Sequence, residues 1–190
     1  MLAKPGPRSS DEAERLLRLA EARNLIVSVD YTMLMAQRFV MLQIERASAT
    51  EIVCVRRSNG SRSASHIFDD MMIHDLALVS ELNPKTSWFV MSAEATETTG
   101  RITLQSDDLR LASIIADRSE GNEPERSMRL NEANELPAFW DQITDDASYR
   151  PVEARLDWLA YQLSARRDGN TREIRRVTRL LEEAHAALDS

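Results

Sequence analysis

EIVCVRRSNGSRSASHIFDDMMIHDLALVSELNP, residues 51–84, is where the reading of the fold begins. Glu51–Arg57 sets β-branched Ile52, Val53 and Val55 around Cys54 and runs into Ser-Asn-Gly-Ser turn chemistry, which predicts a strand. From His66 to Leu82, Ile67, Met71, Leu78 and Leu82 fall on or near one helical face, and Asn83-Pro84 stops the run. The segment therefore reads as strand, polar loop, helix.

Outward from this unit, Ser10 caps a first helix through Arg23, with Asp11, Glu12 and Glu14 suited to its positive end. Period-two alternation predicts a strand over Leu25–Asp30, and a helical pattern follows over Thr32–Ala47. SWFVMSA and GRITLQS flank Thr96–Thr99 as a hairpin turned at Gly100. Asp107–Arg118 reads as a short helix. Residues 119–136 are polar and read as a linker or long loop. Beyond them, Val152, Leu156, Leu159 and Leu163 form one apolar stripe, and Ile174, Val177, Leu181, Ala184 and Leu188 another. Asp168-Gly169 breaks the chain between the two, so the pattern predicts an αα-hairpin.

The expected fold class is α+β: helix-dominated, with a small mixed sheet and that C-terminal αα-hairpin. The division expected is a flexible leader at 1–9, a core at 10–118, the linker at 119–136 and a helical region at 137–190.

With 190 residues, 43% hydrophobic and 29% charged, the composition is that of a globular protein. Its single Cys54, flanked by valines, reads as a small, inert core residue in a reducing cytosol. MLAKPGPRSS lacks the apolar centre of a secretory signal. Leu25–Ile44 is long enough to span a membrane, but Asp30 and Arg38 would each cost about 2.5–3.5 kcal/mol at its centre. The expectation is cytoplasmic, with no membrane partner. Net charge is −7, with an acidic middle followed by an arginine-rich stretch from Arg150 to Arg179.

The loop and helix of residues 56–75 concentrate the chemistry. His66, Asp70 and His74 fall four apart on one face. The outer two are separated by about 12 Å of helix, so no metal site is expected from them. His74-Asp75 resembles the His-Asp pair of HD-type phosphohydrolases. That family also requires a histidine from a different helix, and His66 shares this one. A strand, Gly/Ser loop and helix in succession aim backbone N–H groups at an anion. Arg56, Arg57, Gly60, Ser61 and Arg62 are thus the candidate phosphate-binding set. Arg57-Ser-Asn-Gly60-Ser61-Arg62 resembles the GNAT acetyltransferase loop, Arg/Gln-x-x-Gly-x-Gly/Ala, which cradles a CoA pyrophosphate; Arg62 stands where that family has a small residue. No Gly-x-Ser-x-Gly occurs, and the adjacent carboxylates at Asp69-Asp70, Asp107-Asp108 and Asp145-Asp146 point apart on a helix.

No catalytic constellation emerges, and neither a metal nor a cofactor is expected. The function expected is therefore that of a non-catalytic, cytoplasmic bacterial regulatory or assembly protein, binding a partner or itself through the hairpin. Its partner-binding residues would be Trp158, Tyr161, Arg166, Arg167, Arg172, Arg175, Arg176 and Arg179, since aromatic and arginine side chains anchor interfaces. Two alternatives stand beside it: a phosphate- or CoA-binding enzyme using the 57–62 loop, and a nucleic-acid-binding regulator using the 166–179 arginines.

Overall fold

The computed structural model describes residues 6–29, 49–60, 66–82, 84–131, 156, 157, 160 and 171–188. Helix α1 (Ser10–Ala22) leads to strand β1 (Glu51–Arg57). A π-helical turn (Phe68–Met72) then runs into α2 (Ile73–Leu82). Strands β2 (Trp88–Ala95), β3 (Thr99–Ser106), β4 (Leu111–Asp117) and β5 (Glu125–Leu130) follow, and α3 (Thr171–Leu188) closes the described chain. The strands form one sheet in the order β2-β3-β4-β1-β5. Only β1 and β4 run parallel; the other neighbours are antiparallel.

Alternation along the strands decides where the core lies. Ile52 and Cys54 of β1, Ile102 and Leu104 of β3, Ala112, Ile114 and Ala116 of β4, and Met128 and Leu130 of β5 are all buried. They join one hydrophobic cluster with Phe68, Met72, Ile73, Leu76 and Leu78, and with Ile174, Val177, Leu181 and Ala184 of α3. Helix α2 is enclosed almost all round: its buried residues are Ile73 and Asp75 through Leu82, leaving His74 as the exception. A helix apolar on every side has to be interior.

One polar pair lies inside this core. Arg56, near the end of β1, donates Nε and Nη2 to the two carboxylate oxygens of Asp75 at 3.1 and 2.9 Å. Arg56 is 7% exposed and Asp75 3%. The pair fastens the first turn of α2 to the C-terminal end of β1. Next to it, burial drives the Cys54 thiol well above its usual pKa, with Asp75 adding to the effect, so the thiol is protonated.

Gly100 of β3 has a packing reason. A Cβ built there would sit 2.9 Å from both Ile67 Cγ2 and Met72 Sδ, so the π-turn presses on bare backbone.

The helix-dominated expectation is corrected. A five-stranded mixed sheet organises the chain, with three α-helices around it. Asp107–Arg118 is not a helix. Asp107–Leu109 is a turn, with Leu109 at φ +66, and β4 follows. Ala112 and Ala116 hid this strand, because alanine is a weak strand former yet lets the sheet lie close to what covers it. Glu125–Leu130, inside the stretch read as a linker, is edge strand β5, paired antiparallel with β1. Only its Met128 and Leu130 are buried, so it reads as polar. Ser9, not Ser10, caps α1, its Oγ accepting from Glu12 N. Leu25–Ser28 is irregular, and Val29 makes an isolated bridge. Thr32–Ala47 lies outside the described residues.

The appended αα-hairpin is likewise corrected. Helix α3 is integral, buried by Ile174, Val177, Leu180, Leu181 and Ala184. The proposed first arm lies outside the described residues apart from residues 156, 157 and 160. No described helix is long and apolar enough to cross a membrane.

Two stability outcomes follow from this packing. Asp75→Ala should cost about 3–5 kcal/mol in denaturant unfolding because it strands a buried guanidinium, whereas Arg56→Met with Asp75→Leu should cost far less. Gly100→Ala should cost about 1–3 kcal/mol by overpacking the π-turn, visible as a lowered Tm.

Candidate functional site

Parallel β1 and β4 end at the same edge of the sheet, with Arg57 in register with Asp117. Loops leave both strands there, and the C-terminal ends of parallel strands are where α/β folds place ligand sites. The π-turn, the start of α2 and the last turn of α3 crowd against this edge. Single π-turns are frequent at functional sites because they re-aim side chains that a regular helix would stack.

The side chains gathered here are His66, Asp69, Asp70, Arg118 and His185. Two imidazoles hold the turn in place. His66 accepts Asp69 N and Asp70 N on its carbonyl, at 3.0 and 3.1 Å, and Phe68 N on Nδ1 at 3.3 Å. Its ring lies 4.7 Å from that of His185 and, edge-on, 4.7 Å from that of Phe68. His185, on α3, places Nε2 at 3.1 Å from Asp69 Oδ1. Arg118 follows β4 and is 8% exposed. It donates Nε to Glu97 O at 2.9 Å and lies 3.6 Å from Asp70 Oδ2. Asp70 is thus oriented by a cation fixed to the backbone.

His74 follows Asp70 by four residues, across the junction of the π-turn and α2. It is partly exposed while its helix is otherwise buried. Burial lowers the pKa of His66, as do neighbouring His185 and, to a lesser degree, Arg118, outweighing the upward pull of Asp69. His66 is therefore a neutral imidazole at neutral pH. Among the described residues no group of three or more His, Cys, Asp or Glu is arranged to hold a metal ion.

The phosphate-binding set is distributed otherwise. Arg56 is locked to Asp75, and Arg57 pairs with Glu125 across to β5. Gly60 has φ +54 and its N–H donates to Ser119 O at 3.3 Å. Ser61 and Arg62 lie outside the described residues.

Of the partner-binding set, Trp158, Tyr161, Arg166 and Arg167 also lie outside. Arg172 and Arg176 donate to Glu81 at 2.8 and 3.0 Å. Burial and neighbouring Glu173 raise the Glu81 pKa in spite of them. Arg175 pairs with Glu14 of α1. Arg179 donates to Trp88 O at 2.6 Å and stands over the Phe89 ring. Arg175, Arg176 and Arg179 also line a pocket of about 230 Å³ with Ser80, Thr86, Ser87, Trp88 and Leu180. These arginines tie α3 to the rest of the chain.

Asp69, Arg118 and His185 were missed from sequence. His185 carried the available signal: it is one of only three histidines and sits on a strongly amphipathic helix.

No protein-family model and no curated protein sequence matches the chain. Solved structures do match in fold. UDP-N-acetylglucosamine 3-dehydrogenase GnnA from Acidithiobacillus ferrooxidans superposes with a TM-score of 0.76 at 17% identity, over 100% of this chain and 70% of that one. KijD10, a 3-ketoreductase from Actinomadura kijaniata in complex with TDP-benzene and NADP, gives 0.73 at 10%, over 98% and 69%. Scyllo-inositol dehydrogenase from Lactobacillus casei, with bound NAD(H) and scyllo-inositol, gives 0.71 at 11%, over 98% and 70%. The chain shares the fold of these dehydrogenases and ketoreductases. The expectation of a non-catalytic regulatory or assembly protein acting through a helical hairpin is therefore corrected.

Because the folded pKa of His66 is depressed, its contribution to stability is present above the ordinary imidazole pKa of about 6.5 and is lost as pH falls through the lower, folded value. Thermal unfolding should show Tm falling as pH drops below about 6.5, and His66→Gln should flatten that decline.

Proposed function

We propose that this chain carries the substrate-and-proton side of an oxidoreductase acting on a hydroxyl or ketone of a sugar-like or polyol ligand. The observation that carries the reading is His74. It is the one residue of α2 that is not fully buried, and it adjoins Asp75, which is bonded to Arg56 near the C-terminal end of β1. Oxidation of an alcohol releases a hydroxyl proton and a hydride, and reduction of a ketone takes both up. A nicotinamide dinucleotide, as named with two fold-mates, would accept or supply the hydride, and imidazole exchanges the proton near neutral pH. In this reading His74 exchanges the proton and Asp70, held by Arg118, accepts a hydrogen bond from a neighbouring hydroxyl. His66 and His185 are positioning residues, because their ring and backbone contacts shape the turn. The fold-mates named for UDP-N-acetylglucosamine and scyllo-inositol support a polyhydroxylated ligand. The setting proposed is cytoplasmic, in keeping with a lone, buried, protonated Cys54.

Calorimetric titration of the full chain with scyllo-inositol and with UDP-N-acetylglucosamine tests this. Saturable binding of at least one is expected, weakened tenfold or more by Asp70→Asn (about 1.4 kcal/mol). His74→Gln should remove the pH dependence of binding between about pH 5 and 8. Binding of neither ligand, or binding indifferent to both substitutions, would sink the reading.

A further inference from the structure

We infer that the described residues of this chain, which carry its proposed hydroxylic-ligand site, provide no dinucleotide-binding site. The inference rests on the reading just given. Two of the fold-mates are named with NADP or NAD(H), so a nicotinamide dinucleotide is the group the fold implies. Such a molecule carries a diphosphate. Folds hold a diphosphate by aiming free backbone N–H groups at it from a glycine-rich turn that opens a helix.

The residues present do not fit that task. The five glycines stand at 6, 60, 100, 121 and 169, so no G-x-G-x-x-G can be drawn anywhere in the sequence. In position, the loop leaving β1 is the suitable place, since it follows a parallel strand and precedes a helix. Among the described residues, the N–H groups where that loop enters the helix are already taken. Phe68 N donates to His66 Nδ1, and Asp69 N and Asp70 N donate to His66 O. Two carboxylates, Asp69 and Asp70, stand in that first turn, where a diphosphate would meet like charge. The loop's one glycine turns its N–H to Ser119 O, and a Cβ on it would meet Glu120 Cγ at 3.3 Å.

The start of α1 is occupied as well. Ser10 donates N and Oγ to the Glu182 carboxylate at 3.0 and 2.5 Å, and Glu12 N is taken by Ser9 Oγ. A carboxylate from α3 already fills the anion position of that helix. The first turn of α3 itself contains Glu173. Among the described residues, the starts of α1, of the π-turn and of α3 are thus filled by the chain's own groups or face its own acids.

The test titrates NADH and NADPH into the full chain, read by nicotinamide fluorescence and calorimetry, with and without saturating scyllo-inositol or UDP-N-acetylglucosamine. Polyol or sugar binding with no saturable nucleotide binding up to about 1 mM is the result expected. A Kd below about 0.1 mM for either nucleotide would overturn the inference while leaving the proposed function standing. Binding of neither class would remove the proposed function, and the inference with it. Circular dichroism on the same samples confirms that the chain is folded.

Discussion

Bringing a guanidinium and a carboxylate into the core costs several kcal/mol of lost hydration for each ion, and only close, doubly hydrogen-bonded geometry offsets it. Arg56 and Asp75 meet that condition, with two hydrogen bonds between fixed backbone elements. Their consequence is positional. Arg56 belongs to the central pair of strands and Asp75 to the first turn of α2, so the pair fixes how far α2 can slide along the sheet. That in turn sets where the preceding π-turn lands, which is against Gly100, the one place on β3 with no side chain to obstruct it. The imidazoles and carboxylates of the turn then have a single place to go: the edge where β1 and β4 end.

The arginines of α3 solve a different problem. A terminal helix can fray or detach unless its polar rim is fastened. Here Arg172 and Arg176 converge on Glu81, Arg175 reaches Glu14, and Arg179 reaches the carbonyl of Trp88. These contacts bind α3 to α1, to the end of α2 and to β2. Glu81 is the deepest of these acids; burial raises its pKa, and Arg172 and Arg176 pull it back down. Exposed pairs of this kind contribute little singly.

How far the sequence could be read follows from where its signals are local. β1 came through with its bounds, because a β-branched run ended by turn residues needs no partner to be recognised. α1, the 66–82 helical stretch and the β2–β3 hairpin were legible for similar reasons. β4 was not, since Ala112 and Ala116 are small for the sake of close packing and imitate a helix. β5 was not, since an edge strand buries only two side chains. His66, Asp70 and His74 were visible as one face. Their completion by Arg118 and His185 was not, because both arrive from elements far along the chain whose approach only the tertiary fold decides. The acids that pair with the α3 arginines were not legible either, because Glu14 and Glu81 lie far along the chain.

The two described helix entries near the site share one trait that bears on what the site can receive. Each uses its own chain to satisfy its first N–H groups, Glu182 at α1 and His66 at the π-turn. An α-helix begins with unpaired donors and a partial positive charge, and a protein can leave these for a ligand or consume them. Consuming them stiffens the turn and removes its attraction for phosphate. A neutral, polyhydroxylated molecule loses nothing by that choice, since it is recognised through carboxylate, imidazole and guanidinium groups that accept and donate hydrogen bonds. In the proposed reading those groups are Asp70, paired with Arg118, and His74, the partly exposed residue of α2. On that reading, the hydrogen bonds that hold the π-turn in place favour hydroxyls over phosphates.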